Sequence, residues 1–217
     1  AKTANGKAYE MLSNLVGVCE LYRATGENRL IEAAKNGFDD VVKNQLYVTG
    51  TASWGEHFHA DHELPNRESA AVGETCVTVT WMQLCSQLFR LTGEARYADE
   101  LERSIYNHLA AAQRPDGAAW CYYTSLDGKK PYGSSTNCCL SSGPRGMAMV
   151  PSVVFATARP ASASGRDIVV VNLFEPATAT LMVNGTETRV SLSTEFPLKP
   201  DATLTIDPRH AGDTKIG

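Results

Sequence analysis

The chain reads LYRATGENRL over residues 21–30 and LFRLTGEARY over residues 88–97, so one short pattern occurs twice. Apolar residues at helical spacing precede and follow each copy, which indicates an amphipathic helix on either side. The Thr-Gly-Glu centre is typical of a helix end, because glycine adopts the left-handed conformation and glutamate favours the start of the next helix. The pattern predicts two αα-hairpins. Since such hairpins cannot bury their faces alone, we expect more copies in the complete protein.

Bulk composition disfavours several classes of protein. The 217-residue chain is 43% hydrophobic and 20% charged, which is ordinary for a globular protein able to bury a core. A formal net charge of -4, without a cluster of lysine or arginine, argues against nucleic-acid binding. No apolar run approaches the roughly 20 residues that a membrane span needs. We therefore expect a soluble chain with no nucleic-acid and no membrane partner.

The pattern changes to short alternating segments after about residue 153. These segments predict strands, and the Asn184-Gly185 pair between two of them predicts a tight hairpin. We therefore expect an α+β fold with a partial helical domain at residues 1–150 and a partial β-sandwich at residues 151–217. Too few strands are present to close a sandwich, and the chain opens inside a helical repeat, so both ends are expected to continue in the complete protein.

The residues most informative about function are the triplet Glu74-Thr75-Cys76 and the adjacent pair Cys138-Cys139. Together they offer one carboxylate and three thiolates, a set that suits a tetrahedral zinc ion. A disulfide between adjacent cysteines is strained, so a shared metal or a reactive thiol explains the pair better. The alternative is that Cys76 is a small core residue and the pair is a free surface feature.

A loop from Thr49 to about Gly73 is longer than a bare connector and carries further candidates. Glu56 lies between Trp54 and Phe58, an apolar setting that predicts a raised pKa and a role as acid or base. The alternative for Glu56 is a solvated surface side chain. Three histidines in the loop offer a competing metal set, but contact with substrate or solvent is their more ordinary use. They are His57, His59 and His62.

Candidates further along the chain have ordinary explanations as well. Tyr122 and Tyr123 are neighbours on a strand predicted at residues 120–124, so only one of them is expected to face a site. Glu102 on the predicted fourth helix could be a plain surface charge. The cysteine pair is expected in a loop, followed by a short helix from about residue 143 to residue 149.

The ordered set of short motifs resembles glycoside hydrolase family 127, the β-L-arabinofuranosidases and their relatives. The motifs that carry the resemblance are Gly55-Glu56, Glu63-Leu64-Pro65-Asn66, Glu74-Thr75-Cys76, Tyr97-Ala98-Asp99, Glu102-Arg103, Tyr106-Asn107, Asp116-Gly117, Tyr122-Tyr123 and Cys138-Cys139. The resemblance implies an (α/α)6 barrel followed by β-sandwich domains. It also implies a zinc ion held by one glutamate and three cysteines, and a cysteine nucleophile.

The resemblance implies a role for each matching residue. The zinc ligands are Glu74, Cys76, Cys138 and Cys139. Cys138 also matches the nucleophile and Glu56 the general acid/base, with sulfur and carboxyl expected about 5 Å apart by analogy with retaining carboxylate pairs. Glu102 and Tyr123 match residues that contact the sugar, and His57 is a further candidate contact.

Three departures from the family pattern bear on the substrate. Lys7, in Gly6-Lys7-Ala8, stands where a Gly-His pair that helps to hold the sugar is expected. The interval from Glu56 to Glu74 is slightly longer than usual, and a Leu-Ser-Ser-Gly run at residues 140–143 replaces a Pro-Pro-Asn sequence. Lys7 is therefore a candidate substrate-binding residue, and a lysine beside the sugar suits an anionic or otherwise different glycoside.

The sequence thus predicts a zinc-dependent retaining glycoside hydrolase that acts on β-L-arabinofuranosides or a related sugar through Cys138. The expected partners are an oligosaccharide or glycoside and the remaining segments of the same protein, with a homodimer left open. This stretch alone need not be active, because other barrel helices should contribute sugar contacts. Thiolate ligands favour a reducing compartment, hence the cytoplasm, with secretion left open.

Two other functions compete with this prediction. One is a zinc-stabilised structural or carbohydrate-binding module without catalysis, since ligation by protein side chains alone is the usual mark of structural zinc. The other is a thiol redox protein or a cysteine hydrolase. That function is disfavoured, because neither a Cys-x-x-Cys motif nor a helix-borne cysteine with a histidine partner is visible.

Overall fold

The computed structural model describes residues 3–65, 71–133, 137–160 and 165–208 of the chain. Asn66 of the Glu63–Asn66 motif and residues 134–136, which precede the cysteine pair, lie outside the described residues. The chain divides into two compact units, Ala1–Ala148 and Met149–Gly217. Within the described segments, no helix combines the length and the apolar content required to cross a bilayer.

Two αα-hairpins form the first part of the first unit, as the repeat predicts. Helix α1 (Ala8–Thr25) is followed by α2 (Asn28–Asn44), and helix α3 (Thr75–Thr92) is followed by α4 (Ala95–Arg103). Both turns use a left-handed glycine, Gly26 at φ 71° and Gly93 at φ 72°. Each of these glycines donates its N–H to a carbonyl in the last turn of the preceding helix. The repeated Thr-Gly-Glu pattern therefore specifies the same helix end twice.

Helix α3 lies at the centre of the first unit and packs against the other three helices. Its Trp81 is fully buried and stacks on Phe38 of α2, with ring centroids 4.9 Å apart. Tyr97 of α4 meets the same Phe38 edge to face at 4.6 Å. Aromatic pairs in these arrangements add to the stabilisation that burial provides. This core fixes the position of α3, whose first turn carries the predicted metal motif.

The rest of the first unit differs from the prediction in one helix and in the length of one strand. After α4 the chain continues as a π-helical segment (Ser104–Leu109) and a short α5 (Ala110–Ala112). Strands β1 (Trp120–Cys121) and β2 (Tyr132–Gly133) then pair in an antiparallel ladder. Helix α6 (Cys138–Val154) follows, and it is much longer than the short helix predicted near residues 143–149.

The second unit consists of short antiparallel sheets. Strand β3 (Phe155–Ala158) pairs with β4 (Ile168–Val171), and β5 (Ala177–Val183), β6 (Thr186–Thr194) and β7 (Ala202–Pro208) form a three-stranded meander. Asn184 and Gly185 both have positive φ, 51° and 78°, in the tight turn between β5 and β6. The Asn-Gly prediction of a hairpin is therefore confirmed, whereas the β-sandwich stays a prediction.

Candidate active site

Helix α3 begins inside the predicted metal motif. Glu74 occupies its N-cap position with an extended backbone, and Cys76 is buried in its first turn. Thr75 fixes this turn, because its N–H donates to the Tyr122 carbonyl (3.0 Å) and its hydroxyl donates to the Cys121 carbonyl (2.8 Å). Glu74 makes no side-chain capping bond to its own helix, which leaves its carboxylate for other partners.

The cysteine pair lies at the start of helix α6, so the prediction of a loop is wrong. Asn137 caps the helix, since its side-chain oxygen accepts a hydrogen bond from the Leu140 N–H (3.1 Å). The run that follows the pair contains Gly143, which indicates a turn when only the sequence is considered. In the structure a Cβ at this glycine would lie 2.3 Å from ring carbons of Trp120. The glycine is therefore needed for close packing, and the helix continues through it.

The two helix starts bring the four predicted ligands together. The ligand atoms of Glu74, Cys76, Cys138 and Cys139 all lie within 4.8 Å of one another. The Cys139 sulfur is 3.4 Å from the Cys76 sulfur and 4.0 Å from the Cys138 sulfur. Bonds of about 2.3 Å to sulfur and about 2.1 Å to oxygen place the ligand atoms of tetrahedral zinc roughly 3.5–3.8 Å apart. The four groups could therefore hold a metal ion, and the two sulfur–sulfur distances are close to the spacing of tetrahedral ligands.

Burial and proximity shift the pKa values of these four groups, because their negative charges repel one another. Burial, with Cys76 beside it, raises the pKa of Glu74 to about 8. The hydrogen bond with Cys139 lowers the pKa of Cys76 to about 6 and raises the pKa of Cys139 far above its ordinary value. Burial also raises the pKa of Cys138. Four such acids resist simultaneous ionisation at one point, and a divalent cation is the complement that relieves this repulsion.

Glu56 lines the same pocket as Cys138 and has unusual support. Its backbone adopts φ 67°, a left-handed conformation that is rare for glutamate. Its Oε1 accepts hydrogen bonds from the hydroxyls of Tyr122 (2.7 Å) and Tyr123 (3.2 Å). Both tyrosines therefore contact Glu56, although only Tyr122 lines the pocket, and the predicted sugar contact of Tyr123 stays a prediction. Strand β1 ends at Cys121, so the alternation of a strand does not extend to the two tyrosines.

Lys7 contacts the other carboxylate oxygen of Glu56. Its Nζ lies 2.9 Å from Oε2, and its second acidic neighbour, Glu10, is 3.9 Å away. The hydrogen bond from Tyr122 and the ammonium of Lys7 lower the pKa of Glu56. The raised pKa expected from the apolar neighbours is therefore wrong, because the sequence does not reveal these polar partners.

The backbone holds Lys7 next to Glu56. The Ala8 N–H donates to the Glu56 carbonyl (2.9 Å), and the Phe58 N–H donates to the Gly6 carbonyl (2.9 Å). These two bonds join the segment before α1 to the loop that carries the candidate acid/base. Lys7 is thus engaged by a carboxylate of its own chain, which weakens the expectation that it serves an anionic sugar.

A pocket of about 280 Å³ opens onto the cysteine cluster. Cys138 is exposed, whereas Cys76 and Cys139 are buried. Cys76 and Cys138 both line the pocket, and Cys138 is the more exposed of the two. Its access to solvent agrees with the role of nucleophile that the family resemblance implies, and the two buried cysteines are suited to ligation alone.

Ser142 and Arg145, two of the pocket residues on α6, were missed in the sequence. Ser142 Oγ lies 3.1 Å from the Cys76 sulfur and accepts a hydrogen bond from Arg145 (3.1 Å). These residues follow Cys138 at helical spacing, so a helix starting at Asn137 would have placed them on the cysteine face. The missed signal is therefore the capping asparagine. The hydrogen bonds of Tyr122 and Tyr123 to Glu56 were also missed, because a longer strand was assumed.

The remaining candidates do not join this cluster. In the described part of the chain, the three loop histidines form no metal-ligand group. His57 is exposed, with its Nδ1 2.7 Å from the Gly55 carbonyl, and His59 stacks on Trp54 with centroids 3.8 Å apart. Glu102 is exposed and lines a separate concavity with Tyr106. The predicted sugar contacts of His57 and Glu102 therefore stay predictions.

Comparison with known proteins connects this geometry to a family. The family profile described as "Beta-L-arabinofuranosidase, GH127 catalytic domain" matches residues 1–152. A curated relative, the non-reducing end beta-L-arabinofuranosidase of Bifidobacterium longum subsp. longum, is 33% identical over 129 residues. The match covers 58% of this chain and 19% of that relative.

Solved structures share the fold. A crystal structure of a GH127 β-L-arabinofuranosidase from Geobacillus stearothermophilus T6 aligns with a TM-score of 0.83 at 23% identity, over 98% of this chain and 35% of the other. The structure of another GH127 β-arabinofuranosidase aligns with a TM-score of 0.81 at 28% identity, over 94% of this chain and 32% of the other. The chain thus spans about a fifth of the curated relative and about a third of these structures.

Proposed function

The chain belongs to glycoside hydrolase family 127, and from that premise we propose that its protein is a zinc-dependent retaining hydrolase of β-L-arabinofuranosides or a related sugar. One observation carries the proposal: Glu56 lines the same pocket as the exposed Cys138, whose sulfur belongs to the four-ligand cluster. A purely structural metal site needs only the cluster. A carboxyl group facing the same pocket as an accessible sulfur is what a hydrolase requires in addition.

The four clustered side chains have different tasks in this proposal. Glu74, Cys76, Cys138 and Cys139 would hold a zinc ion, which when bound would keep thiols ionised at neutral pH and stabilise a departing thiolate. The buried pair Cys76 and Cys139 would act as ligands alone. The exposed Cys138 would present its sulfur to the sugar.

The first half of the reaction transfers the sugar to Cys138. The sulfur attacks the anomeric carbon while the bond from that carbon to the glycosidic oxygen breaks. Glu56 donates a proton to the departing oxygen, which leaves as an alcohol. A thioglycoside on Cys138 and an ionised Glu56 result.

The second half releases the sugar. Glu56 takes a proton from water as the water oxygen attacks the anomeric carbon, and the carbon–sulfur bond breaks with its electron pair returning to sulfur. Two successive inversions give net retention. The proton that Glu56 takes from water restores it as the acid for the next first half-reaction. Tyr122, Tyr123 and Lys7 hold Glu56 in place and favour its ionised form.

The rest of the fold enters the proposal through similarity to longer structures. Residues 1–150 would supply two hairpins of an (α/α)6 barrel, and residues 151–217 would begin a β-sandwich. The chain covers 35% of a longer GH127 structure with a TM-score of 0.83, which supports a larger complete protein around this stretch. The remaining segments of the protein would supply further helices and sugar contacts, so activity is expected of the complete protein.

The direct test replaces the candidate nucleophile in the complete protein. Cys138→Ser is expected to lower hydrolysis of 4-nitrophenyl β-L-arabinofuranoside by roughly 10³-fold or more, because serine is a far weaker nucleophile at neutral pH. Cys19→Ala, a buried cysteine of α1 outside the cluster, is the matched control and should retain activity. Full activity of Cys138→Ser, or of protein stripped of metal, would contradict the proposal.

A second candidate function is a zinc-stabilised structural or carbohydrate-binding module. The feature that favours it is the all-protein ligand set of one glutamate and three cysteines. An electrophilic sugar analogue separates the two functions when its attachment is followed by peptide mass spectrometry. Labelling of Cys138 supports the hydrolase, whereas an unlabelled Cys138 and an unchanged melting temperature on adding sugar support the module.

A further inference from the structure

A buried histidine outside the cluster makes hydrogen bonds to the turn that carries Glu74. His108 lies in the π-helical segment and is 1% exposed. Its Nε2 is 3.0 Å from the Gly73 carbonyl, and its Nδ1 is 2.8 Å from the Thr78 hydroxyl. The role proposed above for the catalytic residues makes no use of this imidazole. A buried imidazole with both nitrogens engaged nevertheless has a fixed orientation.

The direction of each hydrogen bond in this network follows from its end point. A carbonyl can only accept, so the Nε2 of His108 carries the proton and donates to Gly73. The Nδ1 is then an acceptor, and the Thr78 hydroxyl donates to it at 2.8 Å rather than to the Glu74 carbonyl, which is farther away at 3.4 Å. The Thr78 oxygen in turn accepts from the Thr51 hydroxyl, 2.6 Å away. The chain of donors runs from Thr51 through Thr78 and His108 to the peptide before Glu74.

Gly73 fits closely against the imidazole. Its φ is 65°, and a Cβ at this position would lie 2.6 Å from the Nε2 of His108. The Gly73 carbonyl also accepts from the Thr124 N–H (3.1 Å), so two donors fix the orientation of the peptide that leads into Glu74. The next turn is fixed by the Thr78 N–H, which donates to the Glu74 carbonyl (3.1 Å). Thr78 therefore contacts both the histidine and the ligand-bearing turn.

The π-helical segment connects this network to the loop of the candidate acid/base. The His108 N–H donates to the Thr49 carbonyl (3.2 Å), and the Ser104 hydroxyl donates to the Gly50 carbonyl (2.7 Å). A π-helical turn within a helix commonly marks a functional position. Here the widened turn directs the imidazole of His108 at the start of α3.

We propose that His108 is a positioning residue for the metal site, which fixes the Gly73–Glu74 peptide so that the Glu74 carboxylate faces the three cysteines. The inference rests on the proposed function, because it assigns Glu74 to a bound metal. Groups that orient ligands without touching the metal commonly change metal affinity by 10-fold or more when they are removed. His108 would act in this way through the backbone of its neighbour.

The test compares zinc affinity in the complete protein, measured by competition with a chromophoric chelator. His108→Leu is expected to weaken zinc binding by roughly 10-fold or more. His108→Gln, which keeps an N–H donor for the Gly73 carbonyl, should recover most of that loss. Ser104→Ala is the matched control, because it removes a buried hydroxyl from the same π-helical segment without touching Gly73. It should change zinc affinity less than 2-fold or so.

A second variant covers the case in which His108→Leu does not fold. Thr78→Val keeps the side-chain shape and removes the hydroxyl that orients His108, and it should weaken zinc in the same direction. Cobalt substitution gives a spectroscopic check, since a displaced Glu74 would change the ligand-field absorption while the thiolate bands persist. His108→Leu or Thr78→Val with wild-type zinc affinity would overturn the inference and leave the proposed hydrolase intact. Wild-type protein that binds no zinc would overturn both.

Discussion

The ammonium of Lys7 lies 2.9 Å from Oε2 of Glu56, and the hydroxyls of Tyr122 and Tyr123 donate to the other oxygen of the same carboxylate. The candidate acid/base is thus held from both sides by groups that favour its charged form. Its pKa is lowered by these partners, with the Tyr122 hydrogen bond as the largest cause. In this resting arrangement the ionised form of Glu56 is favoured, so the first half-reaction uses the fraction of the protein in which Glu56 is protonated.

Removal of the Lys7 charge should shift the alkaline limb of the pH dependence of kcat/KM. Lys7 lowers the pKa of Glu56, so Lys7→Met raises it and keeps the carboxyl protonated to higher pH. Because the first half-reaction needs protonated Glu56, the alkaline limb of kcat/KM should move to higher pH in this variant. Lys7→Arg, which keeps the positive charge, should retain the wild-type limb. Superimposable limbs for Lys7→Met and wild type would count against Glu56 as the proton donor.

The two tyrosines should differ in their effect on catalysis. Tyr122 donates to Glu56 over 2.7 Å and Tyr123 over 3.2 Å, so the first is the stronger hydrogen bond. Tyr122→Phe is expected to lower kcat by roughly 10-fold, equivalent to about 1.4 kcal/mol, and Tyr123→Phe by less. The two variants are matched in chemistry and serve as each other's control. Steady-state kinetics that rank them in the reverse order would contradict this reading of the site.

The fold was largely predictable where local signals are strong. The repeated Thr-Gly-Glu pattern gave both hairpins, because a left-handed glycine is nearly unambiguous at the end of an amphipathic helix. Asn184-Gly185 gave the β5–β6 turn for the same reason. The start of α6 was missed, since Gly143 indicates a turn locally but packs against Trp120, a contact between distant segments. Such a contact cannot be read from neighbouring residues.

The candidate site was predictable in its ligands and not in its electrostatics. Glu74, Cys76 and the cysteine pair could be chosen by chemical type, and these side chains lie close together. The pKa of Glu56 was predicted in the wrong direction, because Trp54 and Phe58 are close in sequence whereas Lys7 and Tyr122 approach only in the folded chain. Partners that are distant in sequence decide the charge state of a side chain, so composition around a residue is a weak guide to its pKa.

Loss of one buried ligand should release the metal. Cys76→Ala removes a sulfur that lies among the other ligand atoms, and is expected to abolish stoichiometric zinc binding at neutral pH. The free energy of unfolding measured in the presence of zinc should fall by several kcal/mol, because metal binding contributes directly to stability. Cys19→Ala should bind zinc as the wild type does, and a chelator should lower its free energy of unfolding by the same amount as in the wild type. Native mass spectrometry and chemical denaturation with and without chelator measure the two quantities, and zinc retained by Cys76→Ala would exclude the proposed ligand set.

Gly73 and Gly26 provide a matched pair for backbone strain. Both have positive φ, 65° and 71°, but a Cβ at Gly73 would lie 2.6 Å from His108, whereas a Cβ at Gly26 meets nothing within 4 Å. Gly26→Ala is expected to cost about 1 kcal/mol from the left-handed conformation alone. Gly73→Ala adds a steric clash in the core and should cost roughly 2–3 kcal/mol more. Urea unfolding measures both variants, and equal losses would show that the imidazole can move away from the turn.

His108 should make the first unit sensitive to acid. Complete burial lowers its pKa to about 4, whereas an unfolded histidine titrates near 6.5. Between about pH 6.5 and 4, His108 is protonated in the unfolded chain and neutral in the folded chain. The contribution of neutral His108 to the free energy of unfolding is therefore complete above about pH 6.5 and is lost as the pH falls toward 4. The loss is expected to be on the order of 2–3 kcal/mol. Urea unfolding of metal-free protein at several pH values should show this slope, reduced in His108→Gln and retained in His62→Gln. A wild-type slope in His108→Gln would mean that other groups cause the acid sensitivity.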